Sequence, residues 1–221
     1  GEMAIDSGKI KLKQAGFNII GAPVIMDAEY GSLSPVKAYF NYHINAKEFD
    51  IKRAYNEIKL FRDLATSAAG AEGIVSLDYT LGGKLGADMH PLYPSLKGAG
   101  VLSVKKVKMN GFKLFSAVGK ETGKDSISNP DLSEVNIKTT IANNIITLER
   151  TKMKVAGFRP RFEGQVSFDG KLNLSGRLGL PPFGIIGIPF SVTGTQDKPV
   201  VKLRKQKDSD KIEETTEEAD Q

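Results

Sequence analysis

Residues 178–196 read LGLPPFGIIGIPFSVTGTQ, without one charged side chain, in a protein whose composition is 26% Asp, Glu, Lys and Arg. The length matches a membrane-spanning helix, which needs about 20 apolar residues. The composition excludes one. Pro181, Pro182 and Pro189 each remove a backbone donor, and Gly179, Gly184, Gly187 and Gly194 weaken a helix further. Irregular backbone exposed to hydrocarbon cannot satisfy its hydrogen bonds. The stretch therefore reads as an extended, apolar, glycine-punctuated strand pair. What that pair faces, its own core or a ligand, decides the reading of the whole chain.

Outward from this stretch the pattern stays β. Residues 161–168 and 171–180 flank Asp169-Gly170, a hairpin signal because both residue types tolerate positive φ. Phe162, Gly164, Val166 and Phe168 share one face of the first arm. Leu172, Leu174, Gly176, Leu178 and Leu180 share one face of the second. Arg161, Glu163, Gln165, Lys171, Asn173 and Arg177 occupy the opposite faces, so one side of the sheet is expected to be apolar and the other wet. Upstream, Val135, Ile137, Thr139 and Ile141 alternate, and Asn143-Asn144 predicts a turn before a strand over 145–149.

Toward the N-terminus, residues 9–13 (KIKLK) alternate with period two, and strands are predicted over 17–26, 36–44, 73–81 and 98–109. Residues 31–35 (GSLSP) form a turn cluster. Asp50 is placed to cap one long helix over 51–69, since its carboxylate can accept from the free amides of the first turn. Ile51, Ala54, Tyr55, Ile58, Phe61, Leu64, Ala65 and Ala68 fall on one face of that helix, which suits packing on a sheet. A membrane-surface helix is the alternative. A second, shorter helix is expected over 112–120, presenting Phe112, Phe115 and Val118. The fold class that results is α+β, mostly β: a long curved antiparallel sheet with one long and one short helix on it, leaving room for an open groove.

The bulk numbers bound the function. The 221 residues carry a net charge of +5, but residues 205–221 hold three Lys against seven Asp or Glu, so the rest of the chain is at +9. A basic body suits phosphate-bearing partners. The acidic tail has too little apolar surface to order itself and is expected to be disordered, leaving residues 1–204 as a single β-rich domain. There is no cysteine, hence no disulfide and no thiolate chemistry. The opening GEMAIDSGKIKLKQ carries no targeting signal and starts in mid-strand pattern, as an excised piece of a longer protein would.

No enzyme motif emerges. His43 sits in a strand and His90 in a loop before Pro91, without the spacing of a metal site. The glycines at 82, 83 and 86 lie between strands and do not open a helix as a phosphate loop must. Acidic residues are scattered singly. No catalytic, metal or cofactor residues are assigned. Lys105, Lys106 and Lys108 form a basic cluster, extended by Lys113, that reads either as a solvated strand edge or as a contact for anionic lipid headgroups. No nucleic-acid motif accompanies it, so a nucleic-acid partner is not expected.

Three features together resemble a known family. They are residues 98–104 (GAGVLSV), the second helix, and the closing stretch 187–195 (GIPFSVTGT) followed by Lys198-Pro199-Val200. The pattern is similar to the C-terminal region of AsmA-like proteins over roughly residues 50–204, and 177–184 (RLGLPPFG) looks like a Bacteroidetes branch. The family is Gram-negative, anchored in the inner membrane, faces the periplasm, and is related to TamB and the chorein-type bridge proteins. The resemblance implies a non-enzymatic role in outer-membrane biogenesis, on a curved β-sheet whose apolar groove guides lipid acyl chains. Mapped onto the apolar faces here, the lipid-contacting residues are expected to be Phe162, Val166, Phe168, Leu172, Leu174, Ile186, Ile188 and Phe190, with Lys105, Lys106 and Lys108 at headgroups. The implied partners are a phospholipid or other envelope lipid, and the inner membrane through an N-terminal anchor outside this sequence. The competing expectation is a structural or adaptor domain of the envelope, in which the same apolar face is a fully packed core.

Overall fold

In a computed structural model, described over residues 1–34 and 37–205, twelve antiparallel strands form one open, curved sheet in strict chain order. The strands are β1 Glu2–Asp6, β2 Lys9–Ile19, β3 Ala22–Ser34, β4 Lys37–Asp50, β5 Ala71–Leu85 and β6 Lys97–Met109. They continue as β7 Asp131–Ala142, β8 Ile145–Lys152, β9 Arg159–Ser167, β10 Leu172–Gly179, β11 Gly187–Gly194 and β12 Pro199–Leu203. The mostly-β expectation therefore holds. The expected acidic tail lies outside the described residues from 206 onward, as do Pro35 and Val36 of the predicted turn.

Two predicted elements are redrawn. The strand expected over 17–26 is two strands, because Ile20 (φ 49°) and Gly21 (φ 82°) turn the chain between β2 and β3. The long helix is broken in two. Asp50 caps α1 (Ile51–Glu57) as expected, its Oδ1 accepting from the Arg53 amide at 2.8 Å. Ile58 then takes extended torsions (φ −109°, ψ 104°) before α2 (Lys59–Leu64) and a 3₁₀ turn over Thr66–Gly70. A β-branched residue yields here at low cost. The break lets two faces form: Ile51, Ala54, Tyr55, Ile58 and Phe61 pack on one cluster, Leu60 and Leu64 on another. The second helix, α3 (Lys113–Thr122), follows its predicted span to within two residues. It ends on Gly123 in the left-handed region, whose amide reaches the Gly119 carbonyl.

The sheet's curvature has a visible source. Extra residues interrupt the ladder at Lys47–Glu48 on β4, at Lys105 on β6 and at Glu149–Arg150 on β8. Each bulge bends its strand and increases local twist. The β4 and β6 bulges are tied together by Lys105 Nζ, 2.6 Å from Glu48 Oε1, and the Glu48 amide donates to Ser76 Oγ on the strand between them.

One main apolar core lies on the inner face of this curve. It joins Val75, Val104, Val107 and Val135 of the central strands to Ile51 and Ala54 of α1, Phe115 and Val118 of α3, and Phe162, Leu174, Leu178, Phe190 and Val192 of the C-terminal strands. The rings of Phe115, Phe162 and Phe190 form a chain of edge-on contacts, with centroids 5.4 and 5.5 Å apart. A second cluster around Leu81, Leu96 and Ile141 is covered by Leu60 and Leu64 of α2 and by Tyr93.

Candidate functional site: one apolar face, closed at one end and open at the other

The strand register builds an unbroken apolar row across ten strands. Met3 of β1 pairs with Leu12, Leu12 with Ala28, Ala28 with Tyr42 and Tyr42 with Leu81. The row continues from Leu81 to Gly98, Ile141, Ile146, Val166 and Leu172. Side chains two residues apart share a face, so flanking rows such as Ile5–Ile10–Tyr30–Phe40 point the same way.

The row is not covered uniformly. Leu81 is 2% exposed and Leu172 8%, because α2, α3 and the loop carrying Tyr93 and Leu96 sit against the central and C-terminal strands. Among the described residues no helix covers β1 and the first half of β2 in the same way: Met3 is 67% exposed, Ile5 70% and Ile10 38%, whereas Phe17 and Ile19 farther along β2 pack on the core that holds Ile51 and Ala54 of α1. Between them Leu12, Met26, Tyr30, Phe40 and Tyr42 are half-buried. Tyr42 stacks on Phe40 with centroids 5.6 Å apart, and burial pushes its phenol up to about 12, so it stays neutral on the apolar face.

Flatness on this face depends on two glycines. A Cβ on Gly98 would lie 3.0 Å from the Tyr79 ring, and one on Gly100 would lie 2.4 Å from it. The bare backbone of β6 accepts the Tyr79 ring, whose hydroxyl reaches Thr139 Oγ1 at 3.0 Å.

The expected lipid-contacting residues divide accordingly. Phe162, Leu172, Leu174 and Phe190 are core residues, with Phe190 fully buried and in ring contact with Phe162, which in turn meets Phe115 of α3. Val166 and Ile188 pack partly against the same core, and Phe168 packs edge-on against Tyr93. The correction is physical: α3 occupies the concavity that these side chains would offer to a ligand. Ile186 is apart from them, 72% exposed in the loop between β10 and β11. The residues that leave apolar surface open, Met3, Ile5 and Ile10, lie in the weakly hydrophobic β1 and β2. Only alternation signals them, of Met3 and Ile5 with Glu2, Ala4 and Asp6 and of Ile10 with Lys9 and Lys11.

The lysine cluster is corrected too. Lys106 pairs with Ile74 and Lys108 with Glu72, positions on the outer, convex face. Lys105 is the bulge residue held by Glu48, whose carboxyl it keeps below the usual range by that hydrogen bond. All three are exposed, but none borders the apolar row. Arg177, expected on a wet face, is 7% exposed: the loop between β10 and β11 folds over it.

The outer face is polar and paired. His43 Nε2 lies 2.7 Å from Asp78 Oδ1 and Asn45 donates to the other oxygen at 3.0 Å, which lowers the Asp78 pKa, mainly through the His43 bond. A shallow hollow of about 270 Å³ beside them is lined by Gln14, Ile25, Asp27, His43, Asn45 and Lys47. Among the described residues there is no group of three His, Cys, Asp or Glu able to hold a metal ion, and no helix long and apolar enough to cross a membrane.

No protein-family model matches the chain, and comparison with curated proteins and with solved structures likewise gives no match.

Proposed function

We propose that the chain is a non-enzymatic, lipid-handling module that holds acyl chains along the inner face of its curved sheet. The observation that carries this reading is the ten-strand apolar row, roofed at one end and, among the described residues, bare over β1 and the first half of β2. A patch of this kind on a folded protein marks an interaction surface. The AsmA-like resemblance supplies the setting: an outer-membrane biogenesis protein, in the periplasm and anchored to the inner membrane in its full length. Acyl chains enter at Met3, Ile5 and Ile10, run toward Tyr30, Phe40 and Tyr42, and stop where Leu60, Leu64 and Leu96 close the face.

The test is native mass spectrometry after incubation with an envelope lipid extract, with a photocrosslinking side chain at Ile10. The expected result is a bound lipid and a crosslink at Ile10, absent when the same probe replaces the outer-face residue Lys138. Lipid-free protein with no crosslink at Ile10 overturns the reading.

The second reading is a structural or adaptor domain. It is favoured by the closed C-terminal part, where Phe162, Leu178, Phe190 and Val192 leave no room for a ligand. Under it the bare strands dock a protein, and the Ile10 probe captures a polypeptide in place of a lipid.

A further inference from the structure

The loop between β10 and β11, residues 180–186, exposes Phe183, Ile185 and Ile186 at 58, 40 and 72%. Three large apolar side chains on one short loop are costly in water unless something covers them. Its backbone is arranged in the opposite sense. The Arg177 guanidinium, buried beneath the loop, donates to the Gly184 carbonyl at 2.8 Å and the Ile185 carbonyl at 2.5 Å. The Leu180 amide donates to the Ile186 carbonyl at 2.7 Å, and the Gly184 amide to the Leu180 carbonyl at 2.8 Å. The carbonyls of Leu180, Gly184, Ile185 and Ile186 are thus bonded within the protein while the apolar side chains are exposed. Each carbonyl bonded inside the protein lowers the cost of bringing the loop to the edge of a medium that offers no hydrogen bonds.

Among the described residues, the segments packed around the loop are cationic, and the acid nearest to Arg161 in sequence, Glu163, is bound to Arg150. Segments 151–161, 177–196 and 199–205 together hold eight Lys or Arg and no Asp or Glu. They are neighbours in space. The Arg159 side chain lies against Gly184, Gly157 lies beside Pro181, and the Arg204 amide donates to the Pro189 carbonyl at 2.9 Å. Lys154, Lys202 and Lys205 are exposed in the same segments. Apolar side chains in a cationic surround match a bilayer whose headgroups are anionic, each nearby cation adding to the attraction.

We infer that this loop inserts into the surface of an anionic phospholipid bilayer, with Arg177 as the residue that presents it. The inference is independent of whether the sheet's inner face holds lipid.

The chain has no tryptophan, so Phe183→Trp introduces a single reporter at an exposed position. In the full chain, vesicles of phosphatidylglycerol should shift its emission to the blue, and brominated acyl chains should quench it. Vesicles of phosphatidylcholine should bind at least about tenfold more weakly. The double substitution Ile185→Ser and Ile186→Ser should weaken partitioning at least about tenfold while leaving circular dichroism and the lipid crosslink at Ile10 unchanged. Unshifted, unquenched emission on anionic vesicles overturns the inference, and so does equal binding to neutral and anionic ones. Quenching without any Ile10 crosslink leaves this inference standing and removes the groove reading alone.

Discussion

The two ends of one apolar face are finished differently. Over β5 to β11 the chain supplies its own cover: α2 and Leu96 lie over Leu81, and α3 over Phe162 and Phe190. Over β1 and the first half of β2 the described residues supply none: Met3 and Ile5 remain in solvent and Ile10 is partly exposed. Both ends share strand alternation, register and direction, so the β pattern does not separate them. What differs is the connection. The long excursions, residues 51–70 and 110–130, both return to the middle of the sheet, while β1, β2 and β3 are joined by tight turns at Ser7-Gly8 and Ile20-Gly21. A tight turn has no residues to spare for a roof. Coverage of an inner face is thus set by where the long loops fall.

The largest effect expected from this contrast is at Phe190. It is fully buried and in ring contact with Phe162, so Phe190→Ala removes packed volume that α3 cannot refill. A loss of about 3–5 kcal/mol is expected in denaturant unfolding. A loss below about 1 kcal/mol would mean that the closed end is looser than its burial implies.

Gly100→Val attacks the same end from the backbone side. The new side chain meets the Tyr79 ring and the Asp78 carbonyl, both within 2.4 Å of a Cβ at that position. Backbone cannot move aside as a side chain can, so a cost of about 1–3 kcal/mol is expected by the same measurement.

At the open end the order of effects reverses. Replacing Met3, Ile5 and Ile10 together with Ser should cost far less than Phe190→Ala, and no more than about 0.5 kcal/mol at each of Met3 and Ile5, whose side chains are largely in water. The same triple variant should lose the lipid seen by native mass spectrometry. Stability lost to the degree of Phe190→Ala would show that the open end is covered in solution.

Much of this was legible in the sequence, and the gaps have physical causes. The period-two runs, the Asp50 cap and the Asn143-Asn144 turn are local signals, and the structure keeps them. The turn at Ile20-Gly21 was hidden because an isoleucine at positive φ has no turn signature. The kink at Ile58 follows from the need to touch two clusters, which no helical periodicity encodes. The apolar faces of β9 and β10 were correctly grouped, but their occupant was not. Alternation shows that a face is apolar without showing whether Phe115 or a ligand lies on it. Arg177 misled for a related reason: its strand position is on the outer face, and only the fold-back of residues 180–186 buries it.

The smallest effect separates the hairpins themselves. At the closed end, the turn between β9 and β10 is fixed by Gly170 at φ 83°, whose amide donates to the Ser167 carbonyl at 2.8 Å. Asp169 in that turn accepts from Lys171 Nζ at 2.7 Å and from the Ser167 hydroxyl. The Lys171 bond first, then the Ser167 bond, bring its pKa from 3.8 to about 2. A carboxyl held below its unfolded value stabilises the folded state while ionised. That contribution is complete above about pH 4 and disappears as pH falls through about 2. The carboxyl is solvent-exposed, so global stability should barely register it, and the measurement that resolves it is the Asp169 carboxyl carbon shift followed by NMR. Titration near 2 is expected, moving upward in Ser167→Ala and further upward in Lys171→Met, since Lys171 is the larger cause. A midpoint near 3.8 in the unaltered chain would show that these bonds are not held in solution. The closed end would then owe its order to the buried face alone.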